Sequence, residues 1–508
     1  MAAATAQLVV GSPPRLSLQT LDKLHPDVIR PAYAHTQTAI GHVHIGVGAF
    51  MRAFNAYYND AALAARGGDW GIAGVSLRQK TVWQQLQPQD CLFTLAIRDN
   101  DRASHQLIGA IKSIDVAPES PRHIVDLLAD AAVRIVTITV TEKGYCLTPD
   151  SGDLDRLNPA LEHDLRNPRE PQSMLGLLAA GLQQRRSDNS GPITIISCDN
   201  LPDNGSRLQH GVLAFADAID ATLRAWIEAH VSFPATMVDR ITPATTAADL
   251  DEAAQNIGVR DEALVMTEPF VQWVIEDNFS ADRPHWEAGG ALFVDDVRPY
   301  EVTKLHLLNG PHSALAYLGY LAGFELISDV MQSPEFAAYA GILMRREISP
   351  VTAEPAGMEH GGYIQQLLHR FGNAALRHRT WQIAMDGSQK LPQRLLNTIR
   401  AQLKCGGPIT GLALAVAAWM RYALGRDEAG QPIDVQDPLT ESFHKIAASA
   451  AVNAEELVTQ FVGLRQIFGT DLAMDRRFTS TLAGQFRLLV DKGAAGAVRD
   501  YITSSAGQ

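Results

Sequence analysis

Cysteine is scarce in this sequence: Cys91, Cys146, Cys198 and Cys405 are the only four in 508 residues, and they lie far apart. There is no CxxC pair and no His/Cys cluster at metal-ligand spacing, which argues against a zinc site and a disulfide framework. Basic tracts are missing too. Lys and Arg number 43 against 56 Asp and Glu, a formal charge of −13. Without clustered cations, neither nucleic acid nor an anionic membrane is expected as a partner. No stretch reaches the roughly 18 to 20 apolar residues of a membrane helix. The opening MAAATAQLVVGSPPRLSLQ has no basic start followed by a long apolar core, so no secretory signal is read there and a cytoplasmic protein is expected. Internal repeats and low-complexity segments are also lacking, which argues against solenoid and linker architectures.

What is present suits a large globular enzyme or binding protein. Hydrophobic residues make up 46% and charged residues 19%, enough for sizeable cores and too little charge for disorder. The length exceeds what one core usually supports, so two domains, or one domain with a substantial second lobe, are expected. From about residue 41, short β-branched runs (HVHIGVGAF, WGIAGVSL, RIVTITVTE, ITIISCDN) alternate with helical ones such as 120–132 and 173–186. That alternation predicts βαβ units and a parallel sheet buried on both faces. After about residue 295, segments such as SALAYLGYLAG, GYIQQLLHRFG and GLALAVAAWMRYALG are apolar at helical spacing. The reading is an α/β domain over 1–295 and a mainly α-helical domain over 296–508.

The first strand runs into a turn containing Gly46, Gly48, Phe50 and Arg52, followed by a helical pattern. Glycines at such a turn let backbone amides approach a pyrophosphate, although a tight turn without ligand reads the same way. The second strand ends at Arg78, Gln79 and Lys80 without the carboxylate that usually meets the adenosine ribose. Its two cations suit a 2′-phosphate, tilting the expected cofactor from NAD toward NADP, unless they are plain solvated charges.

KLHLLNGPH, residues 304–312, opens the helical half. At 3.6 residues per turn, Asn309 lies about 140° and His312 about 80° around a helix from Lys304, so all three face one broad cleft. Pro311 is expected to kink or restart the helix there. A lysine of lowered pKa can act as acid/base, and asparagine amides make neutral oxyanion donors. Asn200, in SCDN at the end of a strand, stands where open α/β sheets bind ligands. A surface lysine, a helix-capping Asn309 and a turn Asn200 remain the alternatives on spacing alone.

Together IGVGAFMRA, TVTEKGYC, SCDNLPDNG, SFPATMVDRITP, EPFVQWVIEDNF, KLHLLNGPHSALAYLGY and AMDGSQKLPQR resemble the long-chain polyol and sugar-acid dehydrogenases of the mannitol dehydrogenase family, over about residues 18–490. The resemblance implies an N-terminal Rossmann domain and a helical C-terminal domain, an NAD or NADP cofactor and no metal. It implies that Lys304 is the acid/base, Asn200 and Asn309 the oxyanion donors, His312 the substrate-orienting histidine and Glu142 a proton-path residue. Asp239 would stand beside cofactor and substrate, and Lys390 would be a substrate donor. Relatives usually read GFHRAHQ where this chain has Met51 and Phe54 in place of two histidines.

Within that family the N-terminal stretch looks closer to mannitol 2-dehydrogenase. VTEKGYC and RHRTWQIAMDGSQKLPQRLL look closer to fructuronate reductase (D-mannonate oxidoreductase). The latter segment belongs to the substrate side, so a 2-keto sugar acid is the first expectation and a fructose/mannitol polyol substrate the second. A carboxylate substrate needs a cation, for which Arg379, Lys390 and Arg394 are candidates. A decarboxylating sugar-acid dehydrogenase and a non-enzymatic nucleotide sensor are the remaining readings. Oligomeric state is not legible.

Overall fold

The protein is seen in a computed structural model that describes residues 13–100, 102–148, 151–449 and 454–506. It divides into two compact units, the second beginning at Arg298. In the first, β1 (Ile40–Ile45), β2 (Gly71–Ser76), β5 (Ile111–Val116), β6 (Ile135–Ile138), β7 (Ile193–Ser197) and β8 (Val231–Ser232) form a parallel sheet in the order β5-β2-β1-β6-β7-β8. Counting only these six, the order is 3-2-1-4-5-6, that of a Rossmann domain. The four β-branched runs became β1, β2, β6 and β7. β5 was not anticipated, because IKSIDV is half polar without a regular alternation and lies at the sheet edge. An antiparallel pair, β3 (Phe93–Arg98) and β4 (Ala103–Ile108), is likewise additional.

Each strand's two-residue period gives the sheet two unlike faces. Val43, Ile45, Val75, Val136, Ile138 and Ile195 join the apolar core with Leu128, Leu175 and Leu208 from the helices Pro121–Ala129, Met174–Asp188 and Asn204–Ile219. The second of these starts where expected because the Ser173 hydroxyl accepts the Gly176 amide at 3.0 Å. On the other face, β1 presents His42 and His44, both fully buried. Phe54, Tyr58, Trp273 and Trp286 make an aromatic cluster with Ile135 and Ile196 on this side.

The second unit is helical, as the periodicity predicts: Gly310–Leu321, Pro334–Ile342, His360–Phe371, Thr410–Ala423 and Ala454–Val462 are its main early elements. The segment Arg476–Ala506 is interrupted at Gly493, whose φ is 68°. Leu412 to Met420 are buried on every side. The start of that helix is held by Glu347, which accepts the Gly411 and Leu412 amides at 2.7 and 2.9 Å and the Tyr501 hydroxyl at 2.9 Å. A carboxylate there satisfies orphan amides and complements the helix dipole. In three places, Lys304–Asn309, Leu343–Ile348 and Pro392–Leu396, the helical backbone widens to i→i+5 bonding.

Candidate active site

Gly46 ends β1 with φ 103°, and a Cβ there would collide with the Thr139 carbonyl, so only glycine fits. A Cβ on Gly48 would meet nothing within 4 Å, leaving open space directly over the turn of the kind a pyrophosphate occupies. The helix that follows is short: Ala49–Ala53 is separated from Asn55–Arg66 by Phe54, at φ −117° and ψ −80°. The turn therefore leads into a single short helical stretch and not directly into a long helix. The Arg52 side chain is buried and donates to the Ala263 carbonyl, while Phe50 stacks on Phe54 at 4.9 Å. Both side chains thus serve the packing of the turn. Met51 and Phe54 are wholly buried.

At the tip of β2, Arg78 and Lys80 are exposed. Lys80 is ion-paired with Glu119, both about half exposed. Glu119 lies in the segment after β5, the strand that neighbours β2. No local pattern in β2 signals it.

At the carboxyl end of β7, Asp199 accepts the Val140 and Thr141 amides, both at 3.1 Å, and the Tyr145 hydroxyl at 2.8 Å. Burial raises the Asp199 pKa, and these donors oppose the rise. This carboxylate fastens the 140–145 loop beside the exposed Asn200. Thr141 is held at φ 66°, a costly conformation for a β-branched residue and one that concentrates at functional sites. Glu142 projects from this loop, exposed, and pairs with Arg207 at 3.2 Å. Asp239 is buried at the end of β9 (Thr236–Asp239). Its neighbour Arg240 is also buried and donates to the Ala53 and Glu268 carbonyls.

In the second unit Lys304, Asn309 and His312 are all buried. The backbone does not break at Pro311. Instead Lys304–Asn309 forms a widened turn and the α-helix resumes at Gly310, with Pro311 in its first turn, where a missing amide costs least. The 140° separation expected between Lys304 and Asn309 is thereby corrected. In a turn closed by i→i+5 bonds, the fifth residue comes back close to the side of the first. Asn309 Nδ2 is buried and has no hydrogen-bond partner among the described residues. Glu301, on the preceding helix Arg298–Thr303, stands one turn before Lys304, an acid that the motif reading passed over.

A second widened turn, Pro392–Leu396, lies against the first. A Cβ on Gly310 would meet the Arg394 carbonyl at 2.8 Å, so glycine permits the approach. Arg394 donates to the Ser313 hydroxyl at 3.0 Å and has no carboxylate partner among the described residues. Lys390 donates to the Met385 and Ile383 carbonyls at 2.5 and 3.4 Å. Burial and the nearby Arg394 push its ammonium down to about 8. His312 stacks on Phe371 at 5.0 Å and meets His378 edge-on at 5.1 Å. Burial, then the surrounding His378, Arg394, Arg370 and Lys390, hold its ring well below the ordinary imidazole value. Arg379 is elsewhere: its side chain is 63% exposed and pairs with Glu325 at 3.5 Å. The structure thus gathers Lys390 and Arg394 around His312 and leaves Arg379 on the surface. Ser313, Phe371 and His378 were not singled out from the sequence, where nothing distinguishes them from core residues.

The family model described as the mannitol dehydrogenase Rossmann domain matches residues 40–288, and the mannitol dehydrogenase C-terminal domain matches 296–490. The chain is 44% identical over 470 residues to an uncharacterized oxidoreductase of Escherichia coli (strain K12), YeiQ, covering 92% of this chain and 96% of that one. It is 43% identical over 475 residues to the D-mannonate oxidoreductase of the same strain, covering 93% and 97%. Among solved structures, Pseudomonas fluorescens mannitol 2-dehydrogenase, in a ternary complex with NAD and D-mannitol, superposes with a TM-score of 0.84 at 38% identity. That match covers 96% of this chain and 99% of the other.

Proposed function

The chain belongs to the mannitol dehydrogenase family of oxidoreductases, and within it we propose that the protein interconverts a 2-keto sugar acid and its aldonate, of the fructuronate and mannonate type, without a metal. The observation that carries the sugar-acid reading is Arg394, a partly buried guanidinium whose pKa burial lowers and whose hydrogen-bond partner among the described residues is a neutral hydroxyl. A buried cation without a counter-charge is costly, and a substrate carboxylate would relieve that cost by bidentate pairing. Lys390, four residues earlier, adds a second cation. The similarity to D-mannonate oxidoreductase points the same way, whereas the likeness to mannitol 2-dehydrogenase supports a neutral polyol as the second reading.

A nicotinamide dinucleotide, when bound, supplies or takes the hydride. The open space at Gly48 and the left-handed Gly46 suit its pyrophosphate, and Asp239 is assigned to the cofactor side. In the reductive direction the Asn309 amide donates to the oxygen on which negative charge develops, with Asn200 as the second donor. Lys304 delivers the proton to that oxygen. His312, kept neutral by its surroundings, aligns the adjacent hydroxyl. Glu142 is exposed and suits proton exchange with solvent.

The ion pair between Lys80 and Glu119 sets the cofactor range. Exposed pairs contribute only about 0–1 kcal/mol, so NAD is accommodated with the pair closed and NADP with Lys80 released to the 2′-phosphate. Steady-state rates for fructuronate and fructose, each with NADH and NADPH, test the whole reading. Preference for fructuronate with both cofactors is expected. Preference for fructose would overturn the acid assignment, carbon dioxide release would indicate a decarboxylating enzyme, and nucleotide binding without turnover across a polyol and sugar-acid panel would indicate a sensor.

A further inference from the structure

Two imidazoles buried inside a sheet require partners for four ring nitrogens. In β1 these partners form a single line. His42 Nδ1 lies 3.2 Å from Asn59 Oδ1 and His42 Nε2 lies 2.6 Å from Thr137 Oγ1. His44 Nδ1 lies 2.7 Å from the same Thr137 Oγ1, and His44 Nε2 lies 2.9 Å from Thr139 Oγ1. The Thr139 hydroxyl donates to the Gly46 carbonyl at 2.7 Å. The parallel register that sets Thr137 directly beside His44 makes the line possible.

Both ends of the line are oxygens that carry no hydrogen. Asn59 cannot be turned over, because its Oδ1 accepts Trp286 Nε1 at 2.9 Å while its amide donates to the Trp70 carbonyl. At the other end stands the Gly46 carbonyl. Between them are five contacts, but two neutral imidazoles and two hydroxyls supply only four hydrogens. One contact must therefore lack a hydrogen. At 3.2 Å, the contact between His42 Nδ1 and Asn59 Oδ1 is the longest of the five, which places the deficit there. Every remaining hydrogen then points toward the glycine turn: His42 Nε2 to Thr137, Thr137 to His44 Nδ1, His44 Nε2 to Thr139, and Thr139 to Gly46.

We propose that His42, Thr137, His44 and Thr139 form a one-way hydrogen-bond line that positions the Gly46 carbonyl, and with it the glycine turn, for dinucleotide binding. His42 and His44 are positioning residues in this scheme and touch no substrate. Burial lowers the pKa of both rings, that of His42 to about 4, which agrees with neutral imidazoles. The Gly46 carbonyl also accepts the Gly48 amide at 2.8 Å, so its orientation fixes the residue over which the open space lies. The proposal rests on the reading of this turn as the dinucleotide site.

Two measurements on the full chain test it. In protein labelled with 15N-histidine, both buried rings are expected to be neutral with the hydrogen on Nε2. A hydrogen on Nδ1 of His44 would overturn the direction of the line. Thr139→Val is expected to weaken NADH binding about tenfold, the equivalent of one lost hydrogen bond, raising the cofactor KM while leaving kcat little changed. Thr139→Ser, which keeps the hydroxyl, is expected to restore binding. Gly48→Val, whose side chain fills the open space and removes none of the five contacts of the line, separates the two ideas. If it weakens NADH binding while Thr139→Val does not, the positioning line is wrong and the dinucleotide reading stands. If Gly48→Val has no effect, the turn is not the dinucleotide site and the proposal falls with that reading.

Discussion

In the first unit, the polar side chains running from Asn59 to Gly46 bond to one another, so that nearly every buried nitrogen and hydroxyl in the line has a partner inside the protein. In the second, among the described residues, Asn309 Nδ2 is buried with no partner and the Arg394 side chain bonds a hydroxyl and no carboxylate. The two arrangements cost different things. A closed network rigidifies what it touches and needs no ligand. An open one lowers the stability of the empty protein and recovers that cost when a ligand supplies the missing groups. The contrast teaches where to look for substrate: among buried polar groups whose bonding is incomplete.

The largest effect expected on the open side is that of Lys304→Ala. kcat should fall by about 10²–10⁴, the usual contribution of a positioned acid/base, with NADH binding measured by fluorescence unchanged. Normal turnover would remove Lys304 from the chemistry. Next comes a paired comparison. Asn309→Leu should lower kcat by about 10²–10³ while leaving the thermal midpoint unchanged or higher, because it removes an unpaired buried amide. Thr137→Val should instead lower the midpoint, since two ring nitrogens lose their partner at a cost of about 1–3 kcal/mol. If both variants shift stability alike, the distinction between closed and open networks fails.

Arg394→Gln is expected to reduce kcat/KM for the sugar acid by roughly 10–100-fold and to change the rate with a neutral keto sugar far less. Lys390 adds a pH signature. Its ammonium titrates at about 8, so it is charged below that value and neutral above it, and sugar-acid affinity should hold below about pH 8 and fall as pH rises through it. A KM flat across that range would exclude Lys390 from carboxylate recognition. The smallest change is reserved for Glu119→Gln. Freeing Lys80 should raise kcat/KM for NADPH relative to NADH by a few-fold, the scale of one exposed pair.

Much of the frame was legible because burial writes itself into composition. Strands covered on both faces become Val/Ile runs, and amphipathic helices repeat at 3.6 residues, so the α/β half and the helical half could be told apart. β5 escaped because edge strands carry polar residues that blur that signal. The polar line left a trace in the sequence, since His42 and His44 are two residues apart in an otherwise apolar strand and so must share a face. What they bond could not be read, because Asn59, Thr137 and Thr139 reach them through strand register and helix packing.

By itself, the sequence determined the order of elements, the glycine-bearing first turn and the residues of the lysine motif, all consequences of local backbone preference and spacing. Only the tertiary structure decided which of the similar-looking cations is drawn partly out of solvent, separating Arg394 from Arg379. It also showed that a widened turn absorbs Pro311 and brings Asn309 round toward Lys304, and that Glu119 answers Lys80. Burial and charge pairing depend on groups distant in the chain, and a helix's phase depends on which carbonyl each amide finds. Local sequence specifies neither.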